Sequence, residues 1–69
     1  MMRKSTAEKI VKRLQDFGYK ASIYEGYSGR AMYGRTVIGI STNAHPLAFR
    51  GIIKRSMKVD NLGLGYIYY

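Results

Sequence analysis

The sequence predicts a small α+β domain with elements in the order α-β-β-α-β, on three observations. Apolar residues recur at helical spacing near the start of the chain and again after Pro46. Between and beyond these stretches stand short alternating or β-branched segments. The length, 69 residues, leaves room for one core and one domain spanning 1–69, with residues 1–4 expected to be disordered.

Ser5-Thr6-Ala7-Glu8 has the form of a capping box. Ala7, Ile10, Val11, Leu14 and Phe17 follow on one face of a helix expected over about residues 6–17. Gly18 suits the left-handed residue that ends such a helix, with Tyr19 folding back as its apolar partner. From Tyr19 to Glu25 the residues alternate, Tyr19, Ala21 and Ile23 against Lys20, Ser22 and Tyr24. That pattern describes a half-buried strand packed on the first helix. Tyr24 on its outer face is either a contact residue or simply good strand chemistry.

Gly26 to Arg35 is then expected to be a loop. Thr36–Thr42 is β-branched and reads as a central strand, with Ile38 and Ile40 toward the core and Gly39 marking a close approach or a bulge. Pro46 fits the first turn of a second helix capped by Asn43 or His45. Leu47, Phe49, Ile52, Ile53 and Met57 form its apolar side, and Arg50, Lys54 and Lys58 recur every four residues as a basic ridge beside Arg55. Gly51 within this helix suggests that another element comes close. Val59-Asp60-Asn61 reads as a turn, and 62–69 as a third strand. That strand either lies parallel to the second or antiparallel to the first. In both cases a three-stranded sheet carries two helices on one face. As a possible edge, the last strand could also pair with a second copy of the chain.

Charge narrows the functional classes. Twelve Lys and Arg face four Asp and Glu, a formal charge of +8. Between Tyr27 and Lys58 there are six basic residues and no acid. Such an excess repels itself and is relieved by an anionic partner, although a basic surface can also be merely solvated. Within this run, Tyr27, Ser28, Arg30, Tyr33 and Arg35 combine stacking rings with guanidinium forks suited to phosphate or carboxylate. Together with Arg50, Lys54, Arg55 and Lys58 they form the candidate binding set for nucleic acid or an acidic protein or nucleoprotein surface.

Other chemistry is not signalled. There are no cysteines and a single histidine, His45, so no metal or cofactor is expected. His45 is read as a helix-start residue ahead of any catalytic role. Gly26-Tyr27-Ser28-Gly29 has the glycine spacing of the loop with which KH domains clamp a nucleic-acid backbone, but its flanks read as strands rather than helices. No Walker or Rossmann fingerprint is present, and an enzyme is not expected. The chain has neither a signal-peptide pattern nor a long apolar stretch, which points to a cytoplasmic protein away from membranes.

Tyr27-Ser28-Gly29-Arg30-Ala31-Met32-Tyr33-Gly34 resembles a Y-S-G-R-x-M-[YF]-G segment of small uncharacterised proteins encoded by bacteriophages. The similarity covers little beyond this loop and the next strand, and brings no catalytic residues with it. It implies a viral accessory protein acting in the host cytoplasm. Such a protein binds nucleic acid or a nucleoprotein or, alternatively, acts as a protein-directed inhibitor of a host defence system such as CRISPR.

Overall fold

The computed structural model describes residues 2–27, 36–61, 63 and 65–69. Two helices, α1 (Lys4–Asp16) and α2 (Pro46–Ile53), accompany four strands: β1 (Ala21–Tyr27), β2 (Thr36–Thr42), β3 (Val59–Asn61) and β4 (Tyr66–Tyr68). The strands form one sheet in the order β1-β2-β4-β3, with every neighbouring pair antiparallel. The α+β class and the placement of both helices on one face hold. The expected three-stranded sheet is corrected to four.

The start of the chain, expected to be loose, has Met2 packed in the core and Lys4 already in the first turn of α1. The helix therefore begins ahead of Ser5, with the Ala7 N–H donating to the Arg3 carbonyl (3.0 Å). No side chain caps it, so the capping box does not form. Ala7, Ile10 and Leu14 are buried, as their spacing predicts. Gly18 takes φ +91, the Tyr19 N–H donates to the Leu14 carbonyl (3.0 Å) and the Gly18 N–H to the Gln15 carbonyl (2.9 Å). This is a Schellman closure. It turns Tyr19 onto the core and leaves Phe17 61% exposed, against the expectation that Phe17 joins the apolar face.

β1 and β2 pair from Ala21↔Thr42 to Tyr27↔Thr36. Gly26 and Tyr27, assigned from sequence to a loop, thus belong to β1. The turn after β2 is latched back to β1. Asn43 Oδ1 accepts from the Lys20 N–H (3.1 Å), and the Thr42 hydroxyl donates to the Lys20 carbonyl (2.6 Å) while accepting from the Ala44 N–H (3.2 Å). Of the two candidate caps of α2, His45 serves: its Nδ1 accepts from the Leu47 N–H (3.2 Å).

α2 is shorter than its residue pattern suggests. Lys54 adopts a left-handed conformation (φ 51, ψ 40) that ends the helix, so Lys54, Arg55 and Lys58 lie beyond α2 and no helical ridge exists. Leu47 is 78% exposed rather than on the apolar side. Gly51 is exposed, and a Cβ there would meet none of the described residues within 4 Å, so no described element approaches it.

Val59–Asn61 is a strand, not a turn. Because β3 is antiparallel to β4 and β4 antiparallel to β2, β3 runs in the same direction as β2, as a crossover through α2 requires. β4 slots between them. It is an interior strand and not an edge, so it offers no edge for pairing with a second copy. Its approach to β2 needs Gly39, where a Cβ would collide with the Tyr68 carbonyl oxygen.

Phe49, Leu14 and Ile40 are the largest fully buried side chains. Tyr68 lies parallel to Phe49, centroids 3.6 Å apart, and its hydroxyl donates to the Ala44 carbonyl (2.7 Å). Burial, reinforced by the nearby Tyr66 and opposed by the charge of Arg50, pushes the Tyr68 hydroxyl from its ordinary 10.0 up to about 12. Tyr68→Phe leaves the Ala44 carbonyl unpaired and should cost about 1–3 kcal/mol in urea unfolding. The folded state holds the Tyr68 proton above the pH at which the unfolded chain releases it. Its contribution is complete below pH 10.0 and is lost as pH rises toward about 12. This amounts to roughly 2 kcal/mol. The wild type should lose that increment over this window, and the Tyr68→Phe variant should not.

Candidate functional site

Four of the sequence-predicted contact residues lie in the described part of the structure with their side chains, and the fold gathers them by a route other than the expected one. Arg50 comes from the last turn of α2. The left-handed Lys54 then swings the chain back, so that Arg50, Lys54 and Arg55 line a crevice of about 270 Å³ with Ser56 and Met57. Ser56 and Met57 also wall a neighbouring groove of about 500 Å³ that reaches Lys58, Val37 and Tyr69. The two hollows thus share Ser56 and Met57 in their walls. No Asp or Glu lines either of them.

Backbone geometry holds these cations in place. The Lys54 N–H donates to the Arg50 carbonyl (3.1 Å), closing the helix. Lys58 exchanges two backbone hydrogen bonds with Tyr69, both 2.9 Å, which anchors the far end of the segment to the sheet. Met57 packs against the core between them. Arg50, Lys54, Arg55 and Lys58 are all exposed. The negative end of the helix dipole stabilises a nearby cation by about 0.3–1 kcal/mol, which accounts in part for Arg50 and Lys54. It does not account for Arg55 and Lys58, which lie beyond the helix.

The rest of the basic charge is distributed differently. Lys9, Lys12 and Arg13 stand on the outer side of α1, where Glu8 and Asp16 dilute them. Lys4 pairs with Glu25 at 3.4 Å on an exposed stretch. Ser28, Arg30, Tyr33 and Arg35 lie outside the described residues, and of Tyr27 only the backbone, which ends β1, is described. His45 is occupied as the cap of α2 and meets Tyr66 edge-on at 5.8 Å. Among the described residues no group of His, Asp and Glu could hold a metal ion, and no helix is long and apolar enough to cross a membrane.

A second hollow was not anticipated from the sequence. It measures about 510 Å³ and lies at the end of the sheet where β1 starts and β2 ends, lined by residues 20–22, 41–43 and 65–67, among them Ser22, Ser41 and Ile67 on the face away from the helices. The alternation of β1 already placed Lys20, Ser22 and Tyr24 on that face. What it could not show was the concavity made where β4 joins.

No protein family, curated protein or solved structure matches the chain.

Lys54 separates stability from binding. A non-glycine residue in the left-handed region is strained, and glycine is the usual occupant of such a helix end. Lys54→Gly should raise the unfolding free energy by up to about 1 kcal/mol in urea titration. It also removes one cation from the crevice, so a stabilised variant with weakened anion binding is the expected outcome.

Proposed function

We propose that this protein is a small non-enzymatic binding protein that engages nucleic acid or a nucleoprotein through its basic surface. The observation that carries the reading is the pair of neighbouring hollows that share Ser56 and Met57, with Arg50, Lys54 and Arg55 lining one and Lys58 the other, and no Asp or Glu among the described residues that line them. Arginine forks and lysine ammonium groups beside a hollow suit the charge of a phosphate backbone. Arg30, Arg35 and Tyr33, which lie outside the described residues, belong to the proposed contact set on composition alone. The short resemblance of that stretch to phage-encoded proteins supplies the context of a viral accessory factor.

Binding to an oligonucleotide duplex, followed by fluorescence anisotropy, should weaken steeply with salt. Four cations give a log–log slope of about −3 to −4. Replacing Arg50, Lys54 and Arg55 together by Gln should flatten the slope by about 2–3. The same charge removed from α1, at Lys9, Lys12 and Arg13, should change it less. Equal effects of the two triple variants would mean that net charge alone drives binding and that the groove is not the site. A host partner captured by the protein and retained after nuclease treatment would favour the alternative reading, a protein-directed inhibitor of a host defence system.

A further inference from the structure

Phosphate contacts account for Arg50, Lys54, Arg55 and Lys58 but not for the residues that stand next to them. The larger of the two hollows beside these cations, about 500 Å³, is mostly apolar: Met2, Val37, Ile38 and Met57 line it with Tyr69 and Lys58. A phosphate placed against such walls loses hydration and gains no partner. A hollow of this kind gains instead from a ligand group that takes its apolar surface out of water.

A third, smaller hollow brings the two kinds of chemistry together. It measures about 150 Å³, and its walls include Arg55 as well as Met2 and Tyr69. Ser56 and Met57 are common to all three hollows. Arg55 thus shares one hollow with Arg50 and Lys54 and another with Met2 and Tyr69. A ligand held by Arg55 has further cations to one side and an apolar wall to the other.

The number of cations narrows the anion. Arg50, Lys54 and Arg55 line a single crevice of about 270 Å³. A phosphate inside a strand is a diester with one negative charge. A terminal phosphate is a monoester with about 1.5 to 2 negative charges and three strong acceptor oxygens, which suits three cations in one crevice better. A strand running through would also have to lay its next phosphates along Met2, Val37 and Ile38. A strand that ends here sets its last base against that wall instead.

We propose that the crevice holds the terminal phosphate monoester of a nucleic-acid strand and that the apolar hollow holds the base attached to it, the rest of the strand leaving toward solvent. The proposal rests on the nucleic-acid reading above and specifies which part of the ligand the site selects.

The test uses unlabelled thymidine dodecamers that displace a labelled strand, followed by fluorescence anisotropy. One carries a 5′-phosphate, one a 3′-phosphate and one neither. A strand of thirteen nucleotides without a terminal phosphate adds charge but no monoester. At least one phosphorylated dodecamer should compete roughly tenfold better than both unphosphorylated strands. Making the nucleotide next to that phosphate abasic should cost several-fold. Arg55→Gln should cancel the preference for the monoester, and Lys9→Gln on α1 should keep it. Val37, half-buried and outside the core cluster, supplies the apolar arm: Val37→Asn should weaken the phosphorylated strand and leave its abasic counterpart unchanged. Thermal unfolding of each variant confirms that the fold is kept. Equal competition by all four strands, or a preference that survives Arg55→Gln, overturns the strand-end site and leaves the phosphate contacts of the broader reading standing. Indifference to the terminal base overturns the role of the apolar hollow. A peptide of alternating Glu and Leu that competes better than either phosphorylated dodecamer assigns the hollows to a protein partner and overturns the proposal. Absence of binding to every strand overturns both the proposal and the reading beneath it.

Discussion

Tyr68 against Phe49 is the contact on which the molecule turns. α2 has only eight residues, far fewer than a helix needs to persist alone in water. It keeps its shape because Phe49 is pressed on a ring from the centre of the sheet, while the Tyr68 hydroxyl holds the Ala44 carbonyl at the approach to the same helix. The contact also decides the sheet. Tyr68 belongs to β4, and drawing its ring under α2 seats β4 against β2 with β3 outside it. That seating brings the Tyr68 backbone so near Gly39 that a side chain there is excluded. Helix, strand order and glycine are one arrangement seen from three sides.

The basic groove is a consequence of the same anchoring. Arg50 follows Phe49 directly, so its position is set by the stacked pair. The chain must then leave a helix pinned over the sheet and reach the outer edge to begin β3. Lys54 makes that departure by adopting a left-handed conformation, and Met57 secures it by returning to the core. The cations of 50–58 end up around a bend rather than along a cylinder. A bend can surround an anion on several sides, which a straight ridge cannot.

Much of this was legible in the residues, and the parts that were not share a cause. Thr36–Thr42 was read with its observed limits because β-branched residues and a turn on each side leave few alternatives. The Gly18 closure was readable because a left-handed residue at a helix end has a glycine signature. Lys54 performs the same task without one, and the i,i+4 spacing of apolar and basic residues ran on past it, so the helix was read too long. β3 and β4 have three residues each, too few to show a period, and Asp60-Asn61 resembles a turn. The capping box failed because the burial of Met2 started the helix ahead of Ser5. In each case a tertiary demand overrode a local signal. The basic residues of 50–58 were read as one helical ridge, and the structure sets them around a bend instead. Tyr24 was placed on the correct face, but the hollow at Ser22 and Ser41 depends on a strand the sequence did not reveal.

Two glycines on the sheet face away from the helices, Gly26 and Gly39, have different reasons to be there. Gly39 is required by the fold, since the backbone of β4 occupies the space its side chain would need. Gly26 answers to no backbone. The three atoms nearest to a Cβ placed there all belong to the Tyr24 side chain, the tip of a group that could swing away. An alanine at that position would therefore leave the strands paired and only lift the ring. Glycine is poor strand chemistry, losing backbone entropy without contributing a packed side chain. Its presence within β1 is thus accounted for by the posture of Tyr24 and by little else in the fold. A ring laid along its own strand, on the outer face of the sheet, contributes less to the core than one turned inward.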